Sequence, residues 1–227
     1  MYHNVAAVVL GAEPASETDK RLTLFTREKG RLFARAAGAR RPGAKLAAAT
    51  EPASLSRFRL WLPEGGATAR VTGGGLAVGL PALRRDWARG TSALFLCEWT
   101  DRFTPLGQAH PEKFDLLSRA LAALEMEEPV VVRLAFLIQF IALSGYGDAA
   151  RAARVTGLED AAAAALDRWD FRGPPAAAPG VERAAWAEEQ LVKSQAPLLQ
   201  RPLKSLAHQR ALGRYLVKHQ FPTEVAR

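Results

Sequence analysis

Cysteine is almost missing from this chain. Cys97 is the only one, which excludes an internal disulfide framework and any metal site built from several thiolates. It sits in the apolar run Leu94–Cys97 with no histidine near it in sequence, and reads as a buried helix residue. Histidine is also scarce. His3, His110, His208 and His219 form no His-Glu-x-x-His pair and no other metal spacing, and the chain carries no nucleophile-elbow motif. No enzyme class is therefore indicated, and neither a metal nor any other cofactor is expected. Long apolar runs are lacking too: the longest, Leu134–Leu143, is broken by Gln139 and reaches only about half of a membrane span. Met1-Tyr2-His3-Asn4 has no basic leader, so a cytoplasmic protein without membrane attachment is expected.

Acidic residues are what one stretch lacks most. Between Arg27 and Lys45 seven cations, Arg27, Lys29, Arg31, Arg35, Arg40, Arg41 and Lys45, face the single acid Glu28. The first 80 residues hold 12 Lys+Arg against 6 Asp+Glu, a balance of +6, and the other 147 hold 19 against 17, so most of the +8 belongs to one N-terminal unit. Such a local field attracts polyanions. Nucleic acid is the leading partner, ahead of an anionic membrane surface or an acidic protein.

From Val5 to Val71 the hydrophobic pattern mostly has period two. Strands are predicted at Val5–Leu10, Arg21–Thr26, Arg31–Ala37, Leu55–Leu62 and Thr68–Val78, separated by Glu13-Pro14, Lys29-Gly30, Pro42-Gly43 and Gly65-Gly66. Five short strands in 80 residues suggest a small barrel. Alternation places Arg31, Phe33 and Arg35 on one exposed face, suited to phosphate contact and base stacking, although Phe33 equally fits a role covering the barrel end. Ala39–Ala48 is expected to be an open basic connection, with Arg40, Arg41 and Lys45 free to follow a phosphate backbone. Gly73-Gly74-Gly75 lacks the Lys-Ser/Thr of a phosphate-binding loop and reads as a bulge or turn.

After Leu80-Pro81 the pattern becomes helical. Helices are predicted at Ala82–Asp101, Pro111–Glu125, Pro129–Leu143, Glu182–Gln195 and Leu203–Lys218, which gives an α+β chain with a 1–80 barrel domain and an 81–227 helical domain. Pro111 and Pro129 occupy first-turn positions, where proline's missing N–H costs nothing. Between Asp148 and Gly180 the alanine-rich, then Gly-Pro-rich composition predicts a short helical excursion and an irregular linker. Glu125, Glu127 and Glu128 read as a solvated helix-end cluster, and Glu17 and Asp19 as turn residues.

Several segments carry a family resemblance. Pro14-Ala15-Ser16-Glu17-Thr18, Leu22-Thr23-Leu24-Phe25-Thr26, Lys29-Gly30-Arg31, Ala37-Gly38-Ala39-Arg40-Arg41, Glu112-Lys113-Phe114-Asp115-Leu116-Leu117, Leu143-Ser144-Gly145-Tyr146-Gly147 and Pro202-Leu203-Lys204-Ser205 occur in the order found in the RecO recombination-repair family, which the chain resembles over most of its length. The resemblance implies an N-terminal oligonucleotide/oligosaccharide-binding (OB) fold β-barrel followed by an α-helical domain. It also implies a nucleoid-associated, non-enzymatic mediator that binds single- and double-stranded DNA, anneals strands, and works with RecR to place RecA on DNA coated by single-stranded-DNA-binding protein (SSB).

Two departures stand out. Many relatives carry a four-cysteine zinc module where this chain has a degenerate, cysteine-free insertion at about 147–180, so zinc is not expected. The arginine that usually follows Lys-Ser is Leu206 here, and the arginine expected beside the third-helix phenylalanine is absent, with Arg133 three residues before Phe136. Phe136, Phe140 and Tyr146 are candidates for a pocket taking the acidic, phenylalanine-ending SSB tail, with Arg133 or Lys204 meeting its carboxylate; helical spacing alone also makes the two phenylalanines core residues. The competing expectation is an assembly subunit that docks protein through its barrel and does not bind DNA.

Overall fold

The computed structural model describes residues 1–64, 68–199 and 203–205. The Gly65-Gly66 break, Leu206, His208, His219 and nearly all of the helix predicted at Leu203–Lys218 lie outside the described residues.

Five strands form where period-two alternation predicts them: β1 (Tyr2–Pro14), β2 (Lys20–Thr26), β3 (Gly30–Ala36), β4 (Leu55–Trp61) and β5 (Thr68–Val78). They close into a barrel in the order β1-β2-β3-β5-β4, antiparallel except for the parallel contact of β3 with β5 over Phe33–Ala36. Strand β1 runs longer than its apolar stretch because it pairs β2 along one edge and β4 along the other. Alternate residues such as Val5, Val9, Leu22, Leu24, Phe58 and Leu60 fill the interior. Each such side chain contributes roughly 1.5–3 kcal/mol when fully buried.

One end of the outer face of β1 and β2 is apolar as well, and the helices pack there. Val8, Leu10 and Phe25 join the helical core, and the Phe25 ring lies 5.9 Å from that of Phe114.

The predicted first helix divides into α1 (Ala82–Arg85) and α2 (Trp87–Phe103). Asp86 adopts an extended backbone between them, and its carboxylate accepts a hydrogen bond from the Arg89 N–H, which starts a new helix. Glu125 is not simply solvated: it accepts hydrogen bonds from the Ala82 and Leu83 N–H groups at the start of α1. Next come α3 (Pro111–Ala123) and α4 (Pro129–Leu143). Apolar residues surround nearly the whole of α4, and it accordingly forms the centre of the bundle.

The segment after Gly147 begins with the expected helical excursion, but the stretch after it is anchored in the core. The segment forms α5 (Ala149–Thr156) and α6 (Asp160–Asp167), followed by a turn in which the Trp169 and Phe171 rings stack at 4.6 Å and are buried in the helical core. Gln139 of α4 holds the turn by donating to the Leu166 and Trp169 carbonyls, both at 2.8 Å. Two aromatic anchors and a half-buried amide thus compensate for the alanine-rich composition. Helix α7 (Val181–Gln195) then packs on α4. Among the described residues no helix is long and apolar enough to cross a membrane.

Candidate nucleic-acid interface

The barrel places the side chains of β3 as alternation predicts. Ala34 and Ala36 point inward, while Arg31, Phe33 and Arg35 lie on the outer face. Phe33 is therefore on the side of the barrel and does not cover its end; it stands half-buried between Thr23 and Thr68.

The seven cations of the Arg27–Lys45 strip do not form one free patch. Arg27 makes two hydrogen bonds to Asp115 of α3, at 3.0 and 3.1 Å. Arg31 reaches Asp101 of α2 at 2.6 Å. Both side chains tie the barrel to the helices. Arg35 pairs with Asp19 at 2.7 Å, although more than half of its side chain remains exposed. Arg40 is exposed and donates from one guanidinium nitrogen to the Ser16 carbonyl. Lys29, Arg41 and Lys45 make no ion pair among the described residues, and Arg41 and Lys45 are exposed.

Asp19 holds this region together. It accepts from the Gly38 N–H at 2.9 Å, from Arg35 and from the Thr18 hydroxyl, and these contacts bring its pKa down to about 2, the Gly38 bond contributing most. The connection after β3 is correspondingly not open. Arg41, Ala44 and Ala47 each donate backbone hydrogen bonds to the residue three before, making successive tight turns. Ala39 and Ala49 are buried while Arg40, Arg41 and Lys45 project outward.

Cross-strand register extends the basic surface beyond the strip. Arg21, Arg35, Arg70, Trp61 and Tyr2 are successive partners across β2, β3, β5, β4 and β1, so one row of outward side chains crosses all five strands. Arg57 and Arg59 lie beside it on β4. The Arg59 guanidinium stands 4.7 Å from the centre of the Tyr2 ring, and that of Arg70 stands 5.5 Å from the Trp61 ring. Sequence reasoning missed Tyr2, Arg57, Arg59, Trp61 and Arg70, although the signal was present on β4: Arg57-Phe58-Arg59-Leu60-Trp61 alternates between outward polar or aromatic positions and core positions.

In the helical region the predicted partner site does not assemble. Phe136 and Phe140 are 0% and 1% exposed and fill the core, with their rings 5.4 Å apart. Arg133 is engaged by the buried carboxylate of Glu188 and by Ser92, so it is not available to a ligand carboxylate. Tyr146 is 48% exposed just beyond α4. Lys204 is on the surface, and its backbone N–H donates to Glu98 of α2, as do the N–H and hydroxyl of Ser205. Burial opposes the Glu98 charge, but these donors outweigh it and keep its pKa below the ordinary carboxylate range. Cys97 is fully buried, and burial pushes its thiol up to about 12.

A closed basic barrel packed against a helical bundle is the class of protein these features define. The chain belongs to the recombination protein O family: the family's N-terminal model matches residues 1–76 and its C-terminal model residues 84–216. It is similar to the DNA repair protein RecO of Myxococcus xanthus, 37% identical over 123 residues, which cover 54% of this chain and 50% of that protein. The RecO proteins of Desulforudis audaxviator and Geobacter metallireducens are each 33% identical, over 64% and 62% of this chain and 57% of their own lengths. The chain thus spans about half the length of the curated relatives it matches.

Proposed function

We propose that this protein is a DNA-binding recombination mediator in DNA repair, acting without catalysis in the cytoplasm, at the nucleoid. Residues 1–80 would be an OB-fold domain and 81–227 a helical domain, a division supported by the barrel's strand order and by the two family matches. The observation that carries the reading is the outward row of Arg21, Arg35 and Arg70, of which Arg21 and Arg35 pair with Glu13 and Asp19 yet stay more than half exposed, together with the exposed Arg40, Arg41 and Lys45 further along the chain. Cations in that arrangement neutralise phosphates of either single- or double-stranded DNA, with counterion release as the driving force and no dependence on base sequence. Holding two strands on one positive surface also screens their mutual repulsion, the physical basis for annealing.

Membership of the family extends the proposal to cooperation with RecR in loading RecA on SSB-coated DNA. Tyr146 and Lys204 remain the surface candidates for the SSB tail. A protein-docking role without DNA binding has one observation in its favour: Arg27, Arg31 and Arg35 are all in intramolecular ion pairs. A salt titration decides between the two. Arg40→Ala with Arg41→Ala should weaken binding to all DNA sequences alike and reduce the slope of log affinity against log salt by about one for each arginine–phosphate pair removed. Unchanged affinity and slope would remove the strip from the interface, and a native protein with no DNA affinity at low salt would leave the docking role standing.

A further inference from the structure

The outer face of β4 is built differently from the strip. Its alternate residues Arg57, Arg59 and Trp61 are flanked on β1 by Ala6, Asn4 and Tyr2, and on β5 by Gly75, Gly73 and Arg70. Neither β4 nor β5 contains an acidic residue. Among the described residues no carboxylate lies within 4 Å of Arg57, Arg59 or Arg70, whereas Arg27, Arg31 and Arg35 each have one. Three exposed guanidinium groups are therefore left without counter-charge within a few residues of one another.

The aromatic residues on this face are exposed at a cost. Tyr2 is 57% exposed, and Trp61, half-buried, faces outward next to it, although strand alternation offers both an inward alternative one residue away. The floor beside them is bare. A Cβ added at Gly73 or Gly75 would meet nothing within 4 Å, so two consecutive outward positions opposite Arg59 and Arg57 hold no side chain. Glycine at such places lets another backbone or a flat ligand come close to a strand.

We propose that the β1–β4–β5 face is a track for single-stranded nucleic acid, in which unpaired bases stack against Trp61 and Tyr2 and the Arg57, Arg59 and Arg70 guanidinium groups take the intervening phosphates. The inference rests on the DNA-binding reading above and shares Arg70 with it, but it adds the adjoining β4 and β1 residues and names a narrower ligand. Aromatic rings and guanidinium planes both stack nucleobases. A duplex hides its base faces and would meet only the cations, so the rings discriminate between the two forms. Gly73 and Gly75 would leave room for the sugar-phosphate chain to pass over β5. The basic strip and this track meet where Arg35 pairs with Arg70 across β3 and β5, so a strand on the track can run on toward the strip.

The test uses the full chain, a fluorescent thirty-nucleotide dT oligomer and a blunt hairpin duplex, in salt titrations. Trp61→Ala should lower dT affinity about ten-fold, the order expected for the loss of a base stack, and leave duplex affinity within two-fold. Trp61→Phe, which retains a stacking surface, should recover most of the loss. Gly75→Val, which adds bulk without altering charge and suits a strand, should weaken dT binding by several-fold with an unchanged salt slope. Arg57→Ala with Arg59→Ala should reduce the dT slope by about 1.4, or ~0.7 per neutralised phosphate. Thermal melting of each variant separates misfolding from a direct effect on binding. Unchanged dT affinity in folded Trp61→Ala and Gly75→Val variants, or equal losses for dT and duplex, would overturn the track while leaving the DNA-binding reading intact. A native protein that binds neither probe would overturn both.

Discussion

Arg133 of α4 and Glu188 of α7 are joined by two parallel hydrogen bonds of 2.6 and 2.7 Å, and both side chains are nearly buried, at 12% and 8% exposure. A third bond, 2.6 Å to the Ser92 hydroxyl, brings α2 into the same cluster. An arginine so placed is a structural fastener of three helices.

Removing one partner of such a pair leaves the other charge buried and uncompensated. Glu188→Ala is expected to destabilise the protein by about 3–5 kcal/mol in urea unfolding, whereas Arg133→Met with Glu188→Leu should lose much less. A loss under about 1 kcal/mol for the single variant would show that water reaches the pair.

Stability and DNA affinity should separate along the basic strip. Arg31 is held by Asp101 under α2, with the Gly107 N–H donating to its carbonyl at 2.8 Å, while Arg41 is exposed. Arg31→Ala should lower the melting temperature and leave DNA affinity within two-fold; Arg41→Ala should do the opposite. Equal effects of both variants on DNA binding would contradict the ion-pair geometry.

Asp19 predicts a pH dependence. Its native pKa of about 2 lies below the ordinary unfolded carboxylate value of about 3.9, so the folded state binds its proton less readily. The carboxylate then adds stability that is fully present above about pH 4 and disappears as pH falls through about 2. Asp19→Asn should accordingly reduce the urea midpoint at pH 7, and the gap from the native protein should close between pH 4 and pH 2. A gap that stays constant over that range would remove the charge from the account.

Gly30 and Gly43 offer a controlled comparison of strain. Both have left-handed backbones, at φ +69° and +72°. A Cβ at Gly30 would stand 1.9 Å from the Gln108 carbonyl oxygen, whereas at Gly43 it would meet nothing within 4 Å. Gly43→Ala should cost about 1 kcal/mol from backbone conformation alone, and Gly30→Ala markedly more, because the segment before α3 must move. Similar unfolding midpoints for the two would show that this segment yields freely.

The strands were legible in the sequence because a half-buried strand repeats every second residue: Leu55–Leu62 and Thr68–Val78 were placed within a residue of β4 and β5. Helices α3, α4 and α7 were equally readable from their period and first-turn residues. The division at Asp86 was hidden because the apolar spacing continues past it; only its capping bond to Arg89 marks the new start. The helical start of residues 149–171 was expected, but the anchoring of this segment in the core was hidden for another reason. Its alanines carry little pattern, and the anchors that secure it, Trp169, Phe171 and Gln139, lie beyond its helices in sequence.

The Arg27–Lys45 sequence was sufficient to establish a concentration of positive charge, the face of β3 on which Arg31, Phe33 and Arg35 stand, and membership of the strip in a barrel. Tertiary structure alone decided which of those charges are free. The partners of Arg27 and Arg31, Asp115 and Asp101, lie 88 and 70 residues further along the chain. Alternation is a local property of the backbone, but ion pairing depends on which distant carboxylates the packed helices bring within reach. Among the described residues the same packing brings no carboxylate within reach of Arg57, Arg59 or Arg70, on a face that the local charge balance did not single out.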